Sequence, residues 1–150
     1  KTGTWVKTKD ALYKVTKADA TGCTVTLVKP HRKTNSTFTV PATIKSEDGK
    51  MNVKKWSLLA CSCALMLTTE TEKITIGKNV SRVGANAFSG CKKLKNIKIT
   101  STQLTKKSIG KNVFKGIDKK AVIKVPKKKL KVYKSIFKGK GQAKSVKIKK

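Results

Sequence analysis

A short unit, Ile-x-Ile, opens and then closes the segment ITIGKNVSRVGANAFSGCKKLKNIKI, residues 74–99. It stands first as Ile74-Thr75-Ile76 and returns 23 residues later as Ile97-Lys98-Ile99. Between the two lie a turn at Gly77, an apolar step at Val80 and Val83, then Ala87-Phe88, Cys91 and Leu94. In a strand, alternate residues point to opposite sides, so Ile74 and Ile76 share one face and Thr75 takes the other. The remaining apolar residues are spaced to line a narrow interior, with the polar ones outside. A segment that ends on the unit it began with is one lap of a coil, and such recurrence is the mark of a repeat architecture.

The lap has copies. Arg82–Phe88 (RVGANAF) matches Ser108–Phe114 (SIGKNVF) 26 residues on, with Gly, Asn and Phe identical and each apolar position kept apolar. Ile97-Lys98-Ile99 falls on Ile123-Lys124-Val125 at the same interval. Moved back by 27, the segment falls on Trp56–Cys61 (WSLLAC), which sets Trp56 beside Val83, Cys61 in place of Phe and Ser57 in place of Gly. That lap is degenerate.

Both ends differ from the laps. Residues 1–45 read as short strands, at Trp5-Val6, Tyr13–Val15, Cys23–Val28 and Phe38–Val40, punctuated by Gly22, Pro30, Asn35-Ser36 and Pro41. They would cover the open end of the first lap. After Pro126, residues Leu130, Tyr133, Ile136 and Phe137 fall at helical spacing within Lys127–Lys138, and Gly139 follows. Val146–Ile148 reads as a last strand. The expected fold is a β-rich solenoid of short parallel strands with an N-terminal β-strand cap and a C-terminal helical cap. All 150 residues form one expected domain: cap 1–45, laps 46–125, helix-and-strand cap 126–150.

These residues resemble the BspA-like leucine-rich repeat, whose unit reads approximately I-G-x-x-A-F-x-x-C-x-x-L-x-x-I-x-I. Val83-Gly84, Ala87-Phe88, Cys91, Leu94, Ile97 and Ile99 match it position by position. The next unit matches at Ile109-Gly110, Val113-Phe114 and Ile123, with Ile117 in the Cys position and an altered spacer. The opening Tyr-x-Val strand, Val40–Ile44 and Val125-Pro126 are also similar to C-terminal domains of surface proteins from anaerobic Gram-positive bacteria. The resemblance spans roughly residues 38–140. It implies a secreted or cell-surface, non-enzymatic binding or adhesion module.

Charge limits the partners. Lysine and arginine number 37 against 7 acids, net +30. Residues 1–70 carry 12 basic and 5 acidic residues, whereas 71–150 carry 25 and 2. Such an excess draws a chain to polyanions such as nucleic acid, teichoic acid, acidic glycans or anionic lipid. Only Arg32 and Arg82 are arginines. Lysine is a hydrated point charge without the forked geometry that reads base edges, which disfavours sequence-specific nucleic-acid recognition. Trp5, Trp56 and Tyr133 read as core or cap residues, which argues against base stacking. No apolar run approaches the ~20 residues of a membrane-spanning helix. The chain opens at Lys1 and shows no signal peptide, which reads as a mature or excised fragment.

Reactive chemistry finds little support. Cys23, Cys61, Cys63 and Cys91 lack paired CxxC spacing, and His31 is the single histidine, so no metal site is expected. Cys91 and Cys61 take inward repeat positions and read as small core residues, which leaves Cys23 and Cys63 as the pair for any disulfide. Asp10, Asp19, Glu47, Asp48, Glu70, Glu72 and Asp118 lie in lysine- or threonine-rich turns or at element edges, and His31 lies in a polar loop beside Pro30. None is held as a base beside a nucleophile. Gly77-Lys78-Asn79 and Gly110-Lys111-Asn112 are turns of the coil, not phosphate loops. Neither enzyme activity nor a cofactor is expected.

The candidate site follows from register. The middle residue of each Ile-x-Ile strand faces out, so stacked laps would align Thr75, Lys98 and Lys124 in one row, with Lys147 as its continuation. Like charges opposed across strands are destabilising, and a row of them makes sense where an anion neutralises it. The expected function is a non-catalytic extracellular bacterial module that binds a host surface protein or a cell-wall anionic polymer through this face. Two alternatives are a general binder of nucleic acid or sulfated glycans, and a structural spacer.

Overall fold

The structure, a computed structural model, describes residues 3–7, 11–19, 22–30, 37–39, 43–46, 49–58 and 71–150. Eleven strands run in chain order among them: β1 (Trp5–Lys7), β2 (Ala11–Asp19), β3 (Gly22–Pro30), β4 (Thr37–Thr39), β5 (Thr43–Ser46), β6 (Gly49–Leu58), β7 (Lys73–Ile76), β8 (Val80–Val83), β9 (Asn96–Ile99), β10 (Val122–Lys124) and β11 (Lys147–Lys149). One α-helix, α1 (Leu130–Phe137), lies between β10 and β11.

The repeat sheet is parallel throughout, in the order β11-β10-β9-β7-β4. Its register reproduces the sequence spacing: Ile74 pairs with Ile97, and Ile97 with Ile123. These three isoleucines are buried because they occupy the inward parity of each strand. Phe38, within a stretch read as one of the leading strands, aligns with Ile74, so Thr37–Thr39 forms the edge strand of the repeat sheet.

A second sheet joins β1, β2 and β3 as an antiparallel meander and continues through β6, which lies parallel to β3 and antiparallel to β5. β6 also pairs in parallel with β8, and an isolated bridge joins Val83 to Ile109 one lap later. Each lap from Val80 onward therefore touches its neighbour on two sides. The register between β6 and β8 differs from the expected one: Leu58, not Trp56, stands opposite Val83, and Trp56 stands opposite Val80. At Leu58 the slip is two residues, which keeps inward and outward positions on the same faces, so hydrophobic alternation does not distinguish the two registers; an irregularity between Trp56 and Ser57 adds one more residue at Trp56. Leu59–Cys61, the rest of that degenerate lap, lie outside the described residues, as do Val40–Ala42.

Geometry explains the recurring Gly, Asn and Phe. A Cβ on Gly110 would run into the Ala85 backbone nitrogen, because adjacent laps press their backbones together there. Asn86 and Asn112 both take positive φ, 57° and 53°, a conformation that asparagine tolerates better than most residues. Lap-to-lap hydrogen bonds then run from the Asn86 N–H to the Lys111 carbonyl at 2.9 Å, from Phe88 to Val113 at 3.0 Å and from Gly90 to Lys115 at 2.8 Å. Phe88 and Phe114 end up stacked in the core with ring centroids 6.0 Å apart.

The helical segment extends that column of rings. Pro126 precedes a 3-10 turn at Lys127–Lys129, and α1 follows. The first turn of this segment is tighter than the α-helix expected from Lys127. Three consecutive lysines at the positive end of a helix oppose its dipole there. Phe137 meets Phe114 edge-on at 5.3 Å, and Tyr133 donates to the Ser101 carbonyl at 2.7 Å. Gly139 leaves the helix at φ 75°. Trp5, read from sequence as core or cap, is 54% exposed, and its neighbour Val6 is buried instead. Adjacent residues of a strand cannot both face inward, and here the valine does. The Trp56 side chain lies outside the described set.

Candidate functional site

The outward parity of the repeat sheet carries two rows of side chains. One runs Thr39, Thr75, Lys98, Lys124, Lys149, and the other runs Thr37, Lys73, Asn96, Val122, Lys147. Neighbouring positions within a row are one strand spacing apart, roughly 4.8 Å. Lys73, Lys98, Lys124, Lys147 and Lys149 are all exposed, and none of the ten positions is acidic.

Thr75, Lys98 and Lys124 therefore share one row as the alternation requires. Lys147 does not continue it. It pairs with Val122 in the second row, and Lys149 stands opposite Lys124. The step from β10 to β11 is 25 residues, not the 23 that would bring Lys147 opposite Lys124, because the intervening lap contains α1. Lys73 and Lys149 were not singled out from the sequence, yet each lies two residues from a position that was, and period-two parity places them on the same face.

Electrostatics here are one-signed. Lysines opposed across neighbouring strands repel, and long stems let their ammonium groups spread into water where salt screens them over about 8 Å. An anionic partner would relieve this repulsion along the whole row. The face has a firm base: below it lies a continuous core of Ile74, Ile97, Ile123, Leu94 and Val125. Ser101, buried at the back of a lap, donates to the Val80 carbonyl at 2.6 Å and accepts at its own carbonyl from Tyr133. Burial pushes the Tyr133 phenol above its ordinary value of 10.0, outweighing the hydrogen bonds that act in the opposite direction.

Cys91 is fully buried, as its inward position requires, but it is not a free thiol. It is disulfide-bonded. The apolar pattern cannot separate a small core thiol from a half-cystine, since both fill the same space. This engages the cysteine that sequence reasoning left out of any bridge. Cys61, Cys63, His31, Asp10, Glu47, Asp48 and Glu70 lie outside the described residues, as do the side chains of Cys23 and Asp19. Among the described residues no three His, Cys, Asp or Glu side chains gather as metal ligands, and no helix is long and apolar enough to cross a membrane.

Comparison with known proteins follows the same lines. Residues 62–150 match the family model described as BspA type leucine rich repeat region (6 copies), which is more than half of the chain. A leucine rich cell surface protein from Faecalibacterium prausnitzii has a similar structure, with a TM-score of 0.55 at 17% identity over 85% of this chain and 38% of its own. A leucine-rich repeat protein from Bacteroides ovatus scores 0.50 at 19% identity, over 81% of this chain and 37% of its own. One from Bacteroides capillosus scores 0.52 at 14% identity, over 96% of this chain and 97% of its own. At such identities the likeness concerns the repeat fold alone. The chain spans less than two fifths of the first two proteins. No curated protein sequence matches it significantly.

Proposed function

This chain belongs to the BspA type leucine rich repeat family, and on that premise we propose that it is a non-catalytic binding module of a bacterial cell-surface or secreted protein. In this reading the laps form a solenoid within one domain, with the antiparallel strands closing one end and α1 with β11 closing the other. The partner is an acidic host surface protein or cell-wall polymer, and it lies across the lysine face. A fold of this kind does not define a function by itself, so the reading rests on the site. The observation that carries it is the alignment of Lys98, Lys124 and Lys149 in one exposed row beside Lys73 and Lys147, with no carboxylate among the ten outward positions. The disulfide at Cys91 supports an oxidising, extracellular setting. So does the cell-surface description of the similar Faecalibacterium protein.

The test is binding of the purified chain to teichoic acid, heparin, duplex DNA and a panel of host surface proteins, between about 50 and 200 mM salt. Alongside it runs the variant Lys98→Glu/Lys124→Glu/Lys149→Glu. One partner that survives the higher salt and is lost in the triple variant identifies the row as the site. Binding of every polyanion alike, collapsing together with salt and indifferent to the variant, would mean diffuse charge attraction and defeat the proposal. Binding to nothing would leave a spacer.

A further inference from the structure

A second basic feature lies away from the outward rows, at the corner where the chain turns into β9 and β10. Lys92, Lys95, Gly116, Ile117, Asp118, Lys119 and Lys120 line a shallow, open depression of about 570 Å³ between two successive laps. It is open to solvent over most of its area, so a ligand would lie across it with one side in water. The corner differs from lap to lap. Where one lap buries Leu94, the next sets Lys120 at the corresponding position and buries Ala121 one residue later. An alanine fills less of the corner than a leucine, and the preceding Lys120 is exposed.

The lining combines three chemistries. The lysine stems provide aliphatic surface, to which Ile117, itself buried, adds only an edge. Four lysines supply cationic donors to the rim. Asp118 supplies one carboxylate, of which Oδ1 accepts the Lys120 backbone N–H at 2.7 Å. Among the described residues, no hydrogen bond occupies its Oδ2. A bare phosphate or sulfate would gain from the lysines but be repelled by Asp118. A pyranose carrying a sulfate or carboxylate suits all three: its ring face lies on aliphatic surface, its anionic substituent meets lysines, and a hydroxyl donates to the carboxylate.

We propose that this corner pocket is a binding site for a single acidic sugar unit, a sulfated or carboxylated pyranose. It adds to the sheet-face reading and uses different residues, so the two stand or fall separately.

The experiment is an NMR titration of the isotopically labelled full chain with a sulfated heparin-derived disaccharide, its unsulfated counterpart and sodium sulfate, at matched ionic strength. The sulfated disaccharide should shift the Gly116 amide and the Ile117 methyls saturably, while the other two leave them in place. Lys92→Gln/Lys119→Gln should weaken that binding about tenfold or more, the scale of a lost charged hydrogen bond. Lys98→Gln/Lys124→Gln should weaken it far less than the pocket variant does, since neither residue lines the depression. Asp118→Asn should weaken the disaccharide but favour sulfate. Unmoved Gly116 and Ile117 signals would overturn the proposal. So would equal shifts with sodium sulfate or the unsulfated sugar, or a loss that follows the sheet variant and ignores the pocket variant.

Discussion

Gly110 shows how one residue can hold two laps together. Its missing side chain is the space into which the Ala85 backbone fits. Gly110→Ala should destabilise the chain by about 1–3 kcal/mol, the cost of overpacking against backbone that cannot rotate away. Urea unfolding monitored by circular dichroism would measure it, and an unchanged midpoint would mean the laps are not in contact there. Tyr133 tests burial instead of packing. Its folded pKa lies above the unfolded value near 10, so the unfolded chain loses this proton first as pH rises. The contribution is complete below pH 10 and is lost as pH climbs past 10 toward the folded pKa. Many lysines titrate in the same region, so the diagnostic quantity is a difference. Tyr133→Phe should be less stable than the parent at neutral pH by about 1–3 kcal/mol, because the buried Ser101 carbonyl loses its donor. The gap should narrow above pH 10.

At the scale of elements, the strands of the repeat sheet carry opposed demands. Packing favours a tight parallel stack, while the exposed rows set like charges side by side. Lys124→Thr, which copies the residue that Thr75 places in the same row, should raise stability by about 0.2–1 kcal/mol at low salt, and this gain should shrink as salt is added. Thermal unfolding of the two chains over a salt series would check it; a variant less stable than the parent would show that the lysine stem contributes more by packing than its charge costs. This scale also separates what was legible from what was not. Gly110, Asn112 and Phe114 recur as copies of Gly84, Asn86 and Phe88 because close approach, positive φ and core volume each admit few residues. The register of Leu58 was not legible, because a two-residue slip leaves the inward and outward sets unchanged. Nor was Lys149, whose partner depends on how many residues the lap containing α1 consumes. The disulfide at Cys91 and the exposure of Trp5 were hidden for a similar reason: a local pattern states that one residue is buried, not which neighbour shares its bond or takes the other face.

At the scale of the molecule, Lys98, Lys124 and Lys149, set one above another on three successive strands, form a line of charge with a fixed spacing. Such a line gathers small anions around itself in solution, as a nucleic acid gathers cations. When a polymeric partner displaces them, the gain is the freedom of the released ions, and the logarithm of the binding constant should fall linearly with that of salt. The triple variant of the outward row should flatten that slope as well as weaken binding. Since all five lysines ride on parallel strands of one sheet, the number of ions released is set by how many laps a partner spans. Affinity would then be counted in laps, and a chain with more of them could grip the same polymer harder without any new kind of contact.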